Sequence, residues 1–117
     1  MYADIDNEEL NKKVIKNLKN FNKRKKYIFS SIKPDHKSFE EKRYWRGPIW
    51  INCNWIIYQG LKNKDKLFSR YIKNKTIDLI NRNGFYEYYS SKNGKALGAY
   101  NFSWTAALYL DFVMNKN

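Results

Sequence analysis

The segment from Ile49 to Leu61 constrains the fold more than any other part of this chain. It runs Ile-Trp-Ile-Asn-Cys-Asn-Trp-Ile-Ile-Tyr-Gln-Gly-Leu and is apolar on nearly every side. A helix with this pattern has to be buried, so it needs packing partners on both sides. Pro48 suits the first helical position, where its missing N–H costs nothing. The β-branched residues also permit a strand, and the pattern alone leaves that alternative open.

Two amphipathic segments supply packing partners for this buried run. Between residues 7 and 22 apolar side chains recur at steps of three and four, and either Asn7 or Asp6 can cap the helix. Residues 64–81 repeat the same spacing. The pair Asn83-Gly84 follows them and is typical of a helix C-terminus, because both residues tolerate a left-handed backbone.

The remaining segments predict one more helix and two long connections. Ser103 can cap a helix from Trp104 to about Met114, whereas residues 27–46 show no sustained period and indicate an irregular connection. Residues 85–98 are rich in aromatics, and their Asn-Gly turn suggests a hairpin. The sequence therefore predicts an all-α fold of about four helices, which form two helical hairpins joined by long loops.

The charge of the chain first suggests a phosphate-bearing partner. The formal net charge is +12, from 23 Lys and Arg against 11 Asp and Glu. Most of the excess, however, is Lys dispersed along the chain, and the densest cluster, residues 23–26, stands where cations favour a helix C-terminus. No recognisable nucleic-acid-binding motif accompanies it. We expect no nucleic-acid partner, and a small basic nucleic-acid-binding module stays as the alternative.

The sequence also disfavours disulfide-bonded, metal-binding, secreted and membrane-spanning proteins. Cys53 is the only cysteine and His36 the only histidine, so no internal disulfide forms and no metal site is expected. The first residues are acidic and lack the basic start and apolar stretch of a secretory signal. No apolar run is long enough to cross a bilayer. We therefore expect a cytoplasmic protein with no membrane partner and no cofactor.

Two loops have the composition of a carbohydrate site, in which aromatic faces cover the sugar ring and charged or amide groups hold its hydroxyls. The first is residues 44–50, Tyr-Trp-Arg-Gly-Pro-Ile-Trp, with Asn52 and Asn54 behind it. The second surrounds Glu87, which stands among Phe85, Tyr86, Tyr88 and Tyr89. Trp45, Trp50 and Trp55 also suit a hydrophobic core, and for Trp50 and Trp55 the composition favours the core. Composition alone favours a surface or structural role for a lone glutamate, so it does not by itself establish a carbohydrate site at either loop.

Three sequence blocks together resemble the C-terminal third of glycoside hydrolase family 63. They are Tyr44-Trp45-Arg46-Gly47-Pro48-Ile49-Trp50-Ile51-Asn52-Cys53-Asn54-Trp55, then Gly84-Phe85-Tyr86-Glu87-Tyr88-Tyr89, then Asn93-Gly94 with Asn101-Phe102-Ser103-Trp104-Thr105-Ala106-Ala107. The blocks occur in the order and at the approximate spacing of that family. It groups mannosyl-oligosaccharide glucosidases with mannosylglycerate and glucosylglycerate hydrolases. The resemblance covers about residues 39–114.

The resemblance implies a partial (α/α)6 toroid and a hydrolysis of α-linked glucosides or mannosides with inversion, carried out by two carboxylic residues. It places the general base at Glu87 in a Glu-x-Tyr segment. It also implies a carbohydrate substrate, held by seven residues: Tyr44, Trp45, Arg46, Gly47, Asn54, Tyr89 and Trp104. The catalytic acid of the family is an Asp on an earlier segment, and no residue here is assigned that role.

Two departures from the family accompany the resemblance. Ile51 stands where relatives commonly have Pro, and residues 29–32 differ from a Gly-Ile-Pro-Ser type stretch. We expect residues 1–117 to be a C-terminal fragment of one catalytic domain, inactive without the missing N-terminal part of the barrel as its partner. A nonfunctional gene remnant would have the same sequence features, so that alternative also stays open.

Overall fold

The computed structural model describes residues 7–23 and 26–114. These residues form four helices and one two-stranded sheet. In chain order the elements are α1 (Glu8–Asn22), α2 (Ile51–Leu61), α3 (Lys66–Asn83), β1 (Tyr86–Tyr89), β2 (Ala96–Tyr100) and α4 (Ser103–Met114). The mostly helical content is consistent with part of a helical toroid, as predicted.

Helix α1 begins where the sequence pattern places it. The Asn7 side chain accepts a hydrogen bond from the backbone N–H of Leu10, so Asn7 is the N-cap. The alternative cap, Asp6, lies outside the described residues, as do two members of the basic cluster, Arg24 and Lys25. The inner face of the helix packs on the core through Ile15, Leu18 and Phe21.

Helix α2 confirms the prediction of a helix and excludes the strand alternative, but it begins later than predicted. Pro48 is not its first residue, because Ile49 pairs with Tyr89 in an isolated antiparallel bridge with N···O distances of 2.7 and 3.0 Å. This long-range pairing keeps the backbone extended until Trp50, and the helix starts at Ile51. The helix is not buried on every side either, since 45% of Ile56 is exposed.

Helix α3 confirms the helix predicted over residues 64–81, although both of its observed ends lie two residues further along the chain. Asp65 caps it through a hydrogen bond from the Phe68 N–H to the Asp65 carboxylate. Gly84 ends it with a φ of 83°, a left-handed value that a glycine adopts without strain. Helices α2 and α3 pack against each other, and α4 packs on both.

The predicted hairpin is present, and its first strand lies next to α4. Strands β1 and β2 are antiparallel, with Tyr88 opposite Leu97 and a bulge between Tyr86 and Tyr88. Ser103, which we expected as the cap of α4, is its first helical residue. The buried core lies between the helices, the hairpin and the irregular segment; its members include Ile28, Phe29, Ile49, Ile51, Tyr58, Ile72, Ile80, Tyr89 and Phe112. Within the described ranges, no helix is long and apolar enough to cross a membrane.

Candidate functional site

The first part of the site is a compact turn, residues 40–46, which we call the site loop. Its backbone closes on itself, because the Glu40 N–H donates to the Arg46 carbonyl at 2.7 Å and the Arg43 N–H donates to the Glu40 carbonyl at 3.0 Å. The Arg46 guanidinium lies 3.0 Å from the Glu40 carboxylate and also donates to the Ser38 carbonyl. Closing so short a loop leaves Tyr44 at a φ of 30°, an uncommon conformation for an aromatic residue.

Gly47 permits this closure. A Cβ at this position would collide with the backbone carbonyl of Glu40, so no larger residue fits without opening the loop. The Gly47 N–H donates to the Ser31 hydroxyl at 3.0 Å, which ties the end of the site loop to the irregular segment before it. Because Gly47 is buried and leaves no room for a side chain, its role in this structure is to allow the loop to close.

An aromatic cluster lies beneath the site loop and extends onto the hairpin. The buried Trp50 ring stacks on Trp45 at a centroid distance of 3.9 Å and on Tyr88 at 5.1 Å. Its indole N–H donates to the Tyr44 carbonyl at 2.8 Å, which holds the loop backbone in its strained form. Trp45 and Tyr44 keep 44% and 47% of their surface exposed. The cluster therefore offers solvent a flat apolar face of the kind that stacks on sugar rings.

Glu87 lies on β1 beside this cluster, with a hydrogen-bond donor at each of its carboxylate oxygens. The Tyr44 hydroxyl donates to Oε1 at 3.0 Å, and the backbone N–H of Ala99 on β2 donates to Oε2 at 3.1 Å. Gly98 makes the second contact possible, because a Cβ there would lie 2.7 Å from Oε2. Loop and hairpin thus fix the direction of the carboxylate from opposite sides.

Electrostatics distinguish Glu87 from the two glutamates of the site loop. Glu40 is paired with Arg43 and Arg46, and Glu41 accepts a hydrogen bond from Ser90 that lowers the pKa of its carboxyl. The hydrogen bond to Glu87 raises the pKa of Tyr44, which therefore keeps its proton and remains a donor at neutral pH. Of these three carboxylates, Glu87 is the one that a tyrosine and a backbone amide orient beside the aromatic face.

Comparison with known proteins identifies the family. The family model described as the mannosylglycerate hydrolase MGH1-like glycoside hydrolase domain matches residues 1–105. The chain belongs to glycoside hydrolase family 63. Over 86 residues it is 40% identical to the mannosylglycerate hydrolase of Thermus thermophilus, an alignment that covers 73% of this chain and 21% of the relative. It is 29% identical over 87 residues to the glucosylglycerate hydrolase of Mycolicibacterium hassiacum, covering 74% of this chain and 20% of that one.

Solved structures of the family share the fold. The chain superimposes with a TM-score of 0.88 and 31% identity on a family 63 mannosylglycerate hydrolase of Thermus thermophilus in complex with glucose. A structure of the same enzyme in complex with Tris and D-glycerate gives the same score. The match covers 97% of this chain but 29% of the glucose-bound one. The chain thus spans about a fifth of the length of its curated relatives and under a third of the solved chains.

Besides the buried Gly47, two more of the residues predicted to hold substrate, Asn54 and Tyr89, are in the interior of this family 63 chain. Asn54 is 0% exposed, and its amide bonds the N–H and carbonyl of Phe29 at 3.0 and 2.9 Å and the Trp50 carbonyl at 2.9 Å. Tyr89 is equally buried, and its hydroxyl donates to the Gly84 carbonyl at 2.7 Å. Burial raises the pKa of that phenol. Both side chains brace the site from behind, and their polar atoms bond the protein backbone.

The remaining predicted residue, Trp104, lies in the first turn of α4 and is 49% exposed. Its neighbour Thr105 donates a hydrogen bond to the Tyr86 carbonyl at 2.8 Å, so the start of α4 is fixed next to the strand that carries Glu87. The structure therefore brings Tyr44 and Trp45 close to the Glu87 carboxylate and places Trp104 next to β1. The Arg46 side chain instead bonds Glu40 and Ser38, and so stabilises the site loop.

Sequence reasoning missed several residues that build the site. Tyr88 and Trp50 extend the aromatic face; the sequence placed both in the two aromatic loops but did not count them among the seven residues expected to hold substrate. The backbone N–H of Ala99 and the contact of Glu41 with Ser90 gave no sequence signal, because both depend on how distant segments meet. Among residues 7–23 and 26–114, no three His, Cys, Asp or Glu side chains could hold a metal ion together.

Proposed function

We propose that this chain supplies the general base and the sugar-binding loop of an inverting glycoside hydrolase. The observation that carries the proposal is the Glu87 carboxylate, bonded by Tyr44 and by the Ala99 N–H next to the exposed ring of Trp45. A carboxylate with a fixed direction beside a sugar-stacking face is the geometry that a base needs to activate water against an anomeric carbon.

In the proposed reaction Glu87 removes a proton from a water molecule as that water attacks the anomeric carbon from the face opposite the leaving group. The glycosidic bond breaks, and a carboxylic acid on another part of the complete barrel protonates the departing oxygen. Inversion requires the two carboxyl groups to be about 6.5–9.5 Å apart, so that the water fits between base and sugar. Tyr44 and Trp45 would hold the ring, and Trp104 would close one side of the cradle.

We propose an α-linked mannoside or glucoside as the substrate, with a glycosyl-glycerate as the first candidate. The support is the pair of activities named for relatives, mannosylglycerate and glucosylglycerate hydrolysis, together with the glucose and the D-glycerate bound in two solved relatives. An aromatic face stacks on either hexose, because both present an apolar C–H surface.

We further propose that residues 1–117 are a C-terminal fragment of one catalytic domain, inactive without the N-terminal part of the barrel. The four helices of residues 7–23 and 26–114 cannot close a ring of twelve. The side of α4 that carries Leu110, Val113 and Met114 is exposed, as expected of a surface that packs on a missing neighbour. A polypeptide carrying the other helices and the acid is therefore the partner that this function requires.

A chimaera tests the proposal. Residues 7–114 replace the structurally aligned segment of the Thermus thermophilus mannosylglycerate hydrolase, and hydrolysis of mannosylglycerate is followed by NMR, which also reports the anomer first released. We expect the mannose first released to have the anomeric configuration opposite to that of the substrate. We expect E87Q to lower kcat by about 10²- to 10⁴-fold, the usual contribution of a general base.

The matched control is E9Q, which changes an exposed glutamate on α1 and should leave kcat unchanged. The isolated chain should show no turnover at all. The proposal is wrong if the chimaera folds but does not hydrolyse the substrate, if E87Q retains full activity, or if the first product keeps the anomeric configuration of the substrate.

A further inference from the structure

A second contact joins the site loop to the hairpin that carries Glu87, three residues along the chain from the first contact on each side. The Ser90 hydroxyl donates to Glu41 Oε1 at 2.6 Å. The same hydroxyl accepts the backbone N–H groups of Lys92 and Asn93 at 3.2 and 3.3 Å, so Ser90 is itself fixed by the turn between β1 and β2. The Lys92 ammonium lies 3.5 Å from the other Glu41 oxygen.

The spacing of the two contacts, Tyr44 with Glu87 and Glu41 with Ser90, determines how they restrain the site loop. Glu41 precedes Tyr44 by three residues in the site loop, and Ser90 follows Glu87 by three residues on the strand side. A single hydrogen bond fixes one distance and lets the loop pivot about it. Two attachments, one at each end of a three-residue span, also fix the orientation of the loop on the hairpin.

We infer that Glu41 and Ser90 are a positioning pair, which sets the site loop on the hairpin so that the Tyr44 hydroxyl meets the Glu87 carboxylate. The inference rests on the proposed function, because it assigns these two residues to the same site. Neither residue touches substrate in this scheme. Glu41 is largely shielded, and Ser90 is buried, so both are suited to hold structure.

The chemistry of the pair agrees with this role. The hydrogen bond from Ser90, followed by the charge of Lys92, lowers the pKa of Glu41, so its carboxylate is ionised and a strong acceptor at neutral pH. The rest of the loop cannot replace it, because Glu40 is committed to Arg43 and Arg46. Without Glu41, the loop would retain its own closure and the contact of the Tyr44 ring with Tyr88, but it would lose one of its two side-chain hydrogen bonds to the hairpin.

The test measures Tyr44 in the complete chain, labelled at the tyrosine ζ-carbon and titrated by NMR from neutral to alkaline pH. Y44F assigns the resonance. The bond to Glu87 holds the pKa of Tyr44 above the ordinary value of 10.0, so E87Q should lower it toward that value. We expect E41A and S90A to lower it in the same direction with Glu87 intact, because the phenol loses its acceptor when the loop pivots.

Two controls separate this role from a general loss of structure. E41Q keeps an acceptor oxygen for Ser90 and should restore most of the Tyr44 shift. K92A removes the exposed cation on the other side of Glu41 and should leave the pKa of Tyr44 unchanged. An unaltered Tyr44 titration in both E41A and S90A, with resonances elsewhere in place, overturns the inference. That result would leave the chimaera test of Glu87 untouched, so the two failures are distinguishable.

Discussion

Residues 26–50 contain no helix and only one isolated bridge, yet directed hydrogen bonds attach them to α2 and to the hairpin, whereas the regular helix α1 contacts the core through apolar side chains. The irregular segment is fixed by the buried amide of Asn54 on Phe29, by the Ile49 and Tyr89 bridge, and by the site-loop contacts with the hairpin. Polar groups of the backbone there have partners inside the protein, which removes the freedom that irregular chain otherwise has.

Helix α1 satisfies its own backbone and is joined to its neighbours by fewer directed contacts. Lys19 pairs with Asp65 at 2.6 Å, and the Asn22 amide donates to the Tyr71 hydroxyl at 3.1 Å. Leu10 and Val14, on its apolar face, remain exposed. Regular secondary structure and firm attachment are therefore separate properties in this chain, and the candidate site depends on the second.

The largest effect should come from removing the anchor of the irregular segment. N54A leaves the buried N–H and carbonyl of Phe29 without partners, and we expect it to lower the free energy of unfolding by about 3 kcal/mol. Urea denaturation measures the change. The control N17A alters an exposed asparagine on α1 and should stay within about 0.5 kcal/mol of the wild type. Equal effects of N54A and N17A would break the comparison between the two regions.

Asn54 also illustrates what the sequence could and could not predict. Helical periodicity located α1 and α3, and the Asn83-Gly84 pair located the end of α3, because these features depend on neighbours within one or two turns. The predicted start of α2 was wrong because the pairing of Ile49 with Tyr89, which lies far along the chain, keeps the backbone before Ile51 extended. The family motif pointed to Glu87 and Tyr44, but a motif cannot tell a side chain that faces substrate from one that faces the backbone of Phe29.

A smaller effect is expected at the hairpin, where Gly98 can be compared with a matched glycine in α2. Gly98 has a φ of 75°, and a Cβ there would lie 2.7 Å from both Glu87 Oε2 and the Tyr88 ring. We expect G98A to lower the free energy of unfolding by about 2 kcal/mol, from backbone strain and the displaced carboxylate.

The control for G98A is G60A in α2, where a Cβ meets nothing within 4 Å. An alanine is the better helix former, so G60A should raise stability by up to about 1 kcal/mol. Opposite signs for the two variants in the same urea assay would show that the left-handed backbone and the close contacts of Gly98, and not the loss of a glycine as such, cause the damage. Similar gains in both would mean that the hairpin tolerates a side chain at Gly98.

The smallest effect concerns the attachment of α1 at Asp65. The hydrogen bond from Lys19, followed by that from the Phe68 N–H, lowers the pKa of Asp65. A lowered pKa in the folded state means that the stabilisation is present above the unfolded value and is lost as the pH falls through the folded one. D65N keeps a capping oxygen without the charge, so its deficit relative to wild type should be largest at neutral pH and vanish in acid.

D65A removes the cap as well and should cost about 1 kcal/mol at neutral pH, which is typical for loss of an N-cap. Hydrogen exchange then sharpens the comparison between the regions. Because Lys19 loses its partner, amides of α1 should exchange faster in D65N, while the Phe29 and Gly47 amides, bonded to Asn54 and Ser31, should keep their protection. Faster exchange at Gly47 as well would mean that α1 and the site loop open as one unit, and that the site depends on the helix after all.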